Sequence, residues 1–173
     1  MLDPAKYSSV DLLPDGRRVE IRALKPDDRS DFSAAIDRTS ARSIYQRFFS
    51  AKRDFTPQEV VFFLNVDFVS QVALVAVAEE AGRKAIVGAG RYFITQPNRA
   101  EVAFAVIDQY QGQGIGKALM RHVAAIGREV GLEELFAEVL PDNTAMLKVF
   151  ERSGYSITTK RGADAVHVTL RLR

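Results

Sequence analysis

Residues 100–117 read AEVAFAVIDQYQGQGIGK, and the order of strand, glycine turn and helix within them decides the architecture. Val102 to Ile107 is a continuous apolar run whose length, Phe and Val content and following turn predict a buried strand. Downstream, Ile115, Leu119, Val123, Ile126 and Val130 recur at spacings of three and four, the pattern of one apolar helix face. Between them lies Gln111-Gly112-Gln113-Gly114-Ile115-Gly116. Glycines at alternate positions remove Cβ atoms where the chain turns, so backbone N–H groups can approach a ligand closely. These amides sit at a helix N-terminus, where the first four lack intrahelical partners and the dipole is positive. Such a turn suits an anion, phosphate above all.

Spacing excludes two phosphate-binding motifs. The dinucleotide fingerprint needs glycine at Lys117. The ATP-type loop needs glycine at Gln111 and Ser or Thr at Ala118. The pattern Gln-x-x-Gly-x-Gly at Gln111, Gly114 and Gly116, on an apolar strand leading into a helix, resembles motif A of the GNAT acetyltransferases. Taken alone, the turn also reads as an ordinary glycine-rich strand–helix connection. The resemblance continues at Asn143-Thr144-Ala145-Met146-Leu147-Lys148-Val149-Phe150-Glu151-Arg152-Ser153-Gly154-Tyr155, which looks like motif B of that family. Ser43 to Phe49, Ala73 to Val77 and Ala100-Glu101 further resemble the catalytic domain of bacterial protein-lysine acetyltransferases. The family resemblance spans roughly residues 18–172.

The resemblance implies a GNAT-like α/β (α+β mixed) fold: a mostly antiparallel central sheet with a splayed strand pair, flanked by helices. It implies acetyl-CoA as acyl donor and direct transfer to an amine. Gln111, Gly112, Gln113, Gly114, Ile115 and Gly116 would hold the pyrophosphate, with Lys117 beside them. Ala105 or Val106 on the splayed strand would offer a backbone N–H to the oxyanion. Asn143 would bond the pantetheine arm, a role compatible with capping its helix. Glu101, ten residues before Gln111, matches the glutamate assigned as general base in the lysine acetyltransferases. Its other reading is a strand-end ion pair. Phe150 stands where many family members carry a tyrosine as general acid, leaving Tyr45, Tyr110 or solvent to protonate the thiolate. Tyr45 could also orient the amine.

The 173 residues suit one domain, here residues 18–173 after an N-terminal arm of residues 1–17. Apolar residues at 47% and charged residues at 27% fall in the globular range. No run of 18 apolar residues marks a membrane span, and no signal peptide is visible, so a cytoplasmic location is expected. With no cysteine, disulfides and thiolate chemistry are excluded, and two isolated histidines, His122 and His167, predict no metal site. The 24 Lys and Arg against 22 Asp and Glu are too balanced to indicate nucleic-acid binding. Lys117 and Arg121 are the best-placed cations for an anionic cofactor. The acceptor is expected to be a protein lysine or a small-molecule amine, and the chain a monomer or homodimer. A non-catalytic acetyl-CoA sensor is the binding-protein alternative.

Along the chain, residues 1–16 read as an arm that packs loosely or pairs with a sheet edge. Strands are expected over 18–24, 71–79, 85–94, 102–107, 132–140, 155–160 and 165–172. Helices are expected over 27–38, about 40–49, from a capping box at Thr56-Pro57-Gln58-Glu59 to about Leu64, from the glycine turn to Gly131, and over 144–153. Gly88 and Gly90 mark a bulge or a close backbone approach. The aromatic residues between Tyr45 and Phe68 are read mainly as core packing.

Overall fold

The computed structural model describes residues 2–39, 58 and 63–173. Within them, eight strands form one sheet: β1 (Ser8–Leu12), β2 (Arg18–Ala23), β3 (Gln71–Glu80), β4 (Arg83–Gln96), β5 (Arg99–Val106), β6 (Glu134–Val139), β7 (Ser156–Arg161) and β8 (Val166–Arg171). The described helices are α1 (Arg29–Asp37), α2 (Ile115–Glu129) and α3 (Thr144–Glu151). Strand order is β1-β2-β3-β4-β5-β6-β8-β7, antiparallel throughout except for β5 and β6. That parallel pair follows from the β5–α2–β6 crossover, since parallel neighbours require a long connection. This is the mixed, mostly antiparallel sheet that the sequence predicts. The expected helix over 40–49, the capping box at Thr56–Glu59 and Tyr45 lie outside the described residues.

Local chemistry explains the meander β3–β4–β5. Ala81 and Gly82 both have positive φ, 49° and 81°, which a two-residue hairpin between Glu80 and Arg83 requires. β3 is buried on both faces. Val72, Leu74 and Ala76 join the core under α2, whereas Ala73, Val75 and Val77 join a smaller cluster with Phe32 of α1. Both readings of the β4 glycines are realised. The register shifts between Ala76 and Val77, opposite Gly88 and Ile86. A Cβ on Gly90 would also lie 2.8 Å from the Phe104 ring, so glycine is what lets β5 and α2 close on the sheet.

α2 is buried more widely than a single stripe. Ile115, Leu119, Val123 and Ile126 face the core as expected, but Ala118, Met120, His122, Ala124 and Gly127 are buried too. Two flanks contribute: the N-terminal segment lies against α2, with Tyr7 and Asp11 bonded to His122, while Gly127 sits against Leu132 and Leu172. Val130, expected on the apolar face, is instead 46% exposed, because the helix ends at Glu129. Gly131 then takes φ +98°, and Leu132 N–H reaches back to the Gly127 carbonyl at 2.8 Å, a glycine stop of the Schellman type. β1 of the arm pairs antiparallel with β2 along the sheet edge.

Candidate active site

The cleft is made where β5 and β6 part. Their parallel register runs only through Arg99–Glu134, Ala100–Leu135 and Glu101–Phe136. β5 nevertheless stays paired with β4 as far as Val106. Beyond Glu101, the edge of β5 that faces β6 therefore has no ladder partner, and unpaired backbone groups must be met by something else. Val102, Ala103 and Phe104 line one arm of the opening and Ala137, Glu138 and Val139 the other, with Asn143, Met146 and Phe150 beside them. Ala105 and Val106 continue β5 toward the glycine turn.

The turn itself is fixed by three features. Gly112 and Gly114 have φ +77° and +97°, in the region that favours glycine. Gln111 Nε2 donates to the Val106 carbonyl at 3.0 Å and Gln113 Nε2 to the Gln109 carbonyl at 2.9 Å, folding the loop back on its own strand. Pro14 and Arg17, from the β1–β2 connection, pack from outside. Pro14 Cδ would stand 3.1 Å from a Cβ on Gly114, and Arg17 donates to Gln113 Oε1 and lies 5.3 Å over the Tyr110 ring. Gly114 supplies no side-chain cap to α2, so the first-turn amides at Ile115, Gly116 and Lys117 keep their donors for an anion. Lys117 is exposed and has no ion-pair partner among the described residues. Arg121, expected to share its role, is committed to Asp11 of β1.

Glu101 is the last β5 residue in register with β6, set between Phe93 of β4 and Phe136 of β6 and partly buried. Asn143 caps α3, its Oδ1 accepting from Met146 N–H at 3.2 Å, while its Nδ2 has no partner among the described residues. Its two expected roles thus use different atoms. Phe150 is 1% exposed and meets Phe104 edge-to-face, with ring centroids 6.3 Å apart. It closes the cleft with hydrocarbon where a phenol was absent from the sequence.

Tyr110, a candidate for protonating the thiolate, is engaged elsewhere. Its hydroxyl donates to Glu80 Oε2 at 2.8 Å, and Glu80 also takes both Arg38 nitrogens at 2.8 Å. Burial and the bond to Glu80 push its phenol up, which holds the proton on Tyr110. The histidines are not isolated. His122 joins Tyr7 and Asp11, and His167 Nδ1 lies 2.5 Å from Glu138 Oε1. Sequence spacing carried no sign of either cluster, because the partners are distant along the chain. No group of three or more His, Asp or Glu among the described residues is arranged to hold a metal.

Comparison with known proteins bears on this geometry. The model of the Acetyltransferase (GNAT) family matches residues 38–155. The chain is 31% identical over 138 residues to Acetyltransferase PA5475 of Pseudomonas aeruginosa, covering 79% of this chain and 74% of that protein. It is 34% identical over 117 residues to Acetyltransferase Pat of Mycolicibacterium smegmatis, covering 66% of this chain but only 34% of that longer protein. Among solved structures, the GNAT domain of S. lividans PAT superimposes with TM-score 0.85 at 32% identity, covering 95% of this chain and 96% of that domain.

Proposed function

This chain belongs to the GNAT acetyltransferase family and takes its acyl group from acetyl-CoA, and we propose that it delivers that group to the side-chain amine of a protein lysine. The observation that carries this reading is Glu101, a carboxylate at the last paired position before β5 and β6 open. A base placed there can reach an amine entering the opening. The resemblance of residues 43–49, 73–77 and 100–101 to bacterial protein-lysine acetyltransferases supports lysine as the acceptor. Residues 18–173 act as one catalytic domain, and a cytoplasmic location belongs to the same proposal.

In this mechanism the first-turn amides of α2, the Gln111–Gly116 loop and Lys117 bind the pyrophosphate. Asn143 Nδ2 donates to the pantetheine arm. Glu101 takes one proton from the incoming ammonium, the freed amine nitrogen attacks the thioester carbonyl, and its second proton leaves to solvent as the amide forms. A backbone N–H of Ala105 or Val106 stabilises the oxyanion as the C–N bond forms. The C–S bond then breaks, and the thiolate of coenzyme A takes its proton from solvent, Tyr110 being held by Glu80.

The test is incubation with acetyl-CoA of candidate proteins and an amine library, read by mass spectrometry, for wild type and Glu101→Gln. Lysine acetylation is expected, with turnover of the variant lower by roughly 10²–10⁴-fold and coenzyme A affinity unchanged. Acetylation of small amines alone would replace the lysine assignment. A Glu101→Gln enzyme of near-normal turnover would make Glu101 structural.

A further inference from the structure

The cleft carries a second carboxylate, on the arm opposite Glu101. Glu138 lines the opening and lies two residues beyond Phe136, the register partner of Glu101. Two residues along a strand return a side chain to the same face, so Glu101 and Glu138 share the face turned away from α2. A strand spacing of about 4.8 Å and a two-residue rise of about 6.7 Å set their Cα atoms roughly 8 Å apart before the arms diverge further. Carboxylates on side chains so placed can flank one ammonium.

Glu138 is held in a built arrangement. The Arg99 guanidinium lies 4.2 Å over the Phe136 ring, which stacks on His167 with centroids 5.6 Å apart and planes 23° from parallel. Arg99 Nη2 is 3.3 Å from His167 Nε2. Arginine nitrogens only donate, so Nε2 accepts and the imidazole carries its proton on Nδ1. That Nδ1–H donates to Glu138 Oε1 at 2.5 Å, while Oε2 takes no hydrogen bond from any described residue. One oxygen is thus fixed and the other open.

We propose that Glu138, aligned by His167 and Arg99, binds the cationic amine of the acceptor and makes the enzyme select ammonium-bearing acceptors. The inference rests on the amine-acetylation reading above. A lysine side chain, with a pKa near ~10.4, arrives protonated at neutral pH. It must be held as a cation before Glu101 removes the proton, and Glu138 supplies the counter-charge from the other arm. His167 and Arg99 act as positioning residues.

The experiment measures binding without turnover, by calorimetry on the enzyme loaded with coenzyme A. The probes are a blocked lysine peptide and the same peptide with 6-hydroxynorleucine, a neutral hydroxyl, in place of lysine. Glu138→Gln is expected to weaken the lysine peptide about tenfold or more and to leave the hydroxyl peptide within about twofold. His167→Gln should give a smaller loss of the same selectivity. With acetyl-CoA, KM for the lysine peptide should rise by the same factor while kcat stays within about threefold. Unchanged coenzyme A affinity confirms that each variant is folded. Equal effects on both peptides, no effect on either, or no binding of the lysine peptide by wild type would overturn the proposal. Wild type that binds the lysine peptide with this selectivity but acetylates no amine refutes the transfer reading and leaves Glu138 standing. Efficient transfer with an unchanged KM in Glu138→Gln does the reverse.

Discussion

Replacing Gly116 by Ala separates what the turn needs for its own conformation from what it needs for its ligand. Gly112 and Gly114 carry positive φ, whereas Gly116, inside α2, does not. A Cβ on Gly116 would meet Val149 Cγ2 at 3.4 Å and Val106 Cγ2 at 4.0 Å, ordinary van der Waals distances. The substitution therefore adds no backbone strain, and it removes conformational freedom from the unfolded chain. We expect the ligand-free variant to gain about 0.5–1 kcal/mol, which raises Tm by about 1–4 °C in a chain of this size. Coenzyme A should bind at least about tenfold more weakly, a loss of about 1.4 kcal/mol, because the new methyl stands beside the amides proposed to bind the pyrophosphate. Gly114→Ala should differ in sign. Its φ of +97° costs a non-glycine residue about 1–2 kcal/mol, and its Cβ would press on Pro14 Cδ at 3.1 Å. Thermal unfolding of the ligand-free proteins and calorimetric titration with coenzyme A measure both quantities. A folded Gly116→Ala protein that binds coenzyme A like wild type would refute the idea that the third glycine makes room for the cofactor.

Phe150→Tyr should change turnover by less than about tenfold, or about 1.4 kcal/mol of barrier, because the residue is packed against Phe104 as a wall of the cleft; a large gain in steady-state rate would show that a missing acid limits the reaction. Asp28→Asn should cost about 3 kcal/mol in equilibrium unfolding, since Asp28 is 5% exposed and takes two Arg22 nitrogens at 2.8 Å and the Lys25 amide at 2.7 Å. Burial alone would raise the Asp28 carboxyl, but the Arg22 and Lys25 bonds outweigh it and hold the group below its ordinary range. A lowered folded-state pKa gives stability that is present above the unfolded value of about 3.9 and lost as pH falls through the folded one. The acid limb of the wild-type stability curve should therefore be steeper than that of Asp28→Asn, and identical limbs would remove Asp28 as its source.

Much of the framework was legible in residues close together in the chain. The apolar run from Val102 to Ile107, the glycines at 112 and 114, the stop at Gly131 and the Asn143 cap are each decided by local backbone conformation. φ preferences, capping bonds and apolar period act over a few residues, so they leave a readable pattern. The opening that makes the site was not legible in this way. Glu101 and Phe136 are the last partners of the parallel pair, and nothing around either residue says that pairing stops there. The same holds for His122 with Tyr7 and Asp11, for Tyr110 with Glu80, for Arg121 with Asp11, and for His167 with Glu138. These contacts join side chains from 29 to 115 positions apart. Their geometry depends on how the sheet, α2 and the N-terminal segment pack, and a side chain's neighbours across a sheet impose no period on its own sequence. Residue type and spacing thus marked the glycine turn as an anion site, and the family resemblance supplied the role expected of Glu101, while tertiary packing alone decided which cations, histidines and tyrosines remain free to take part.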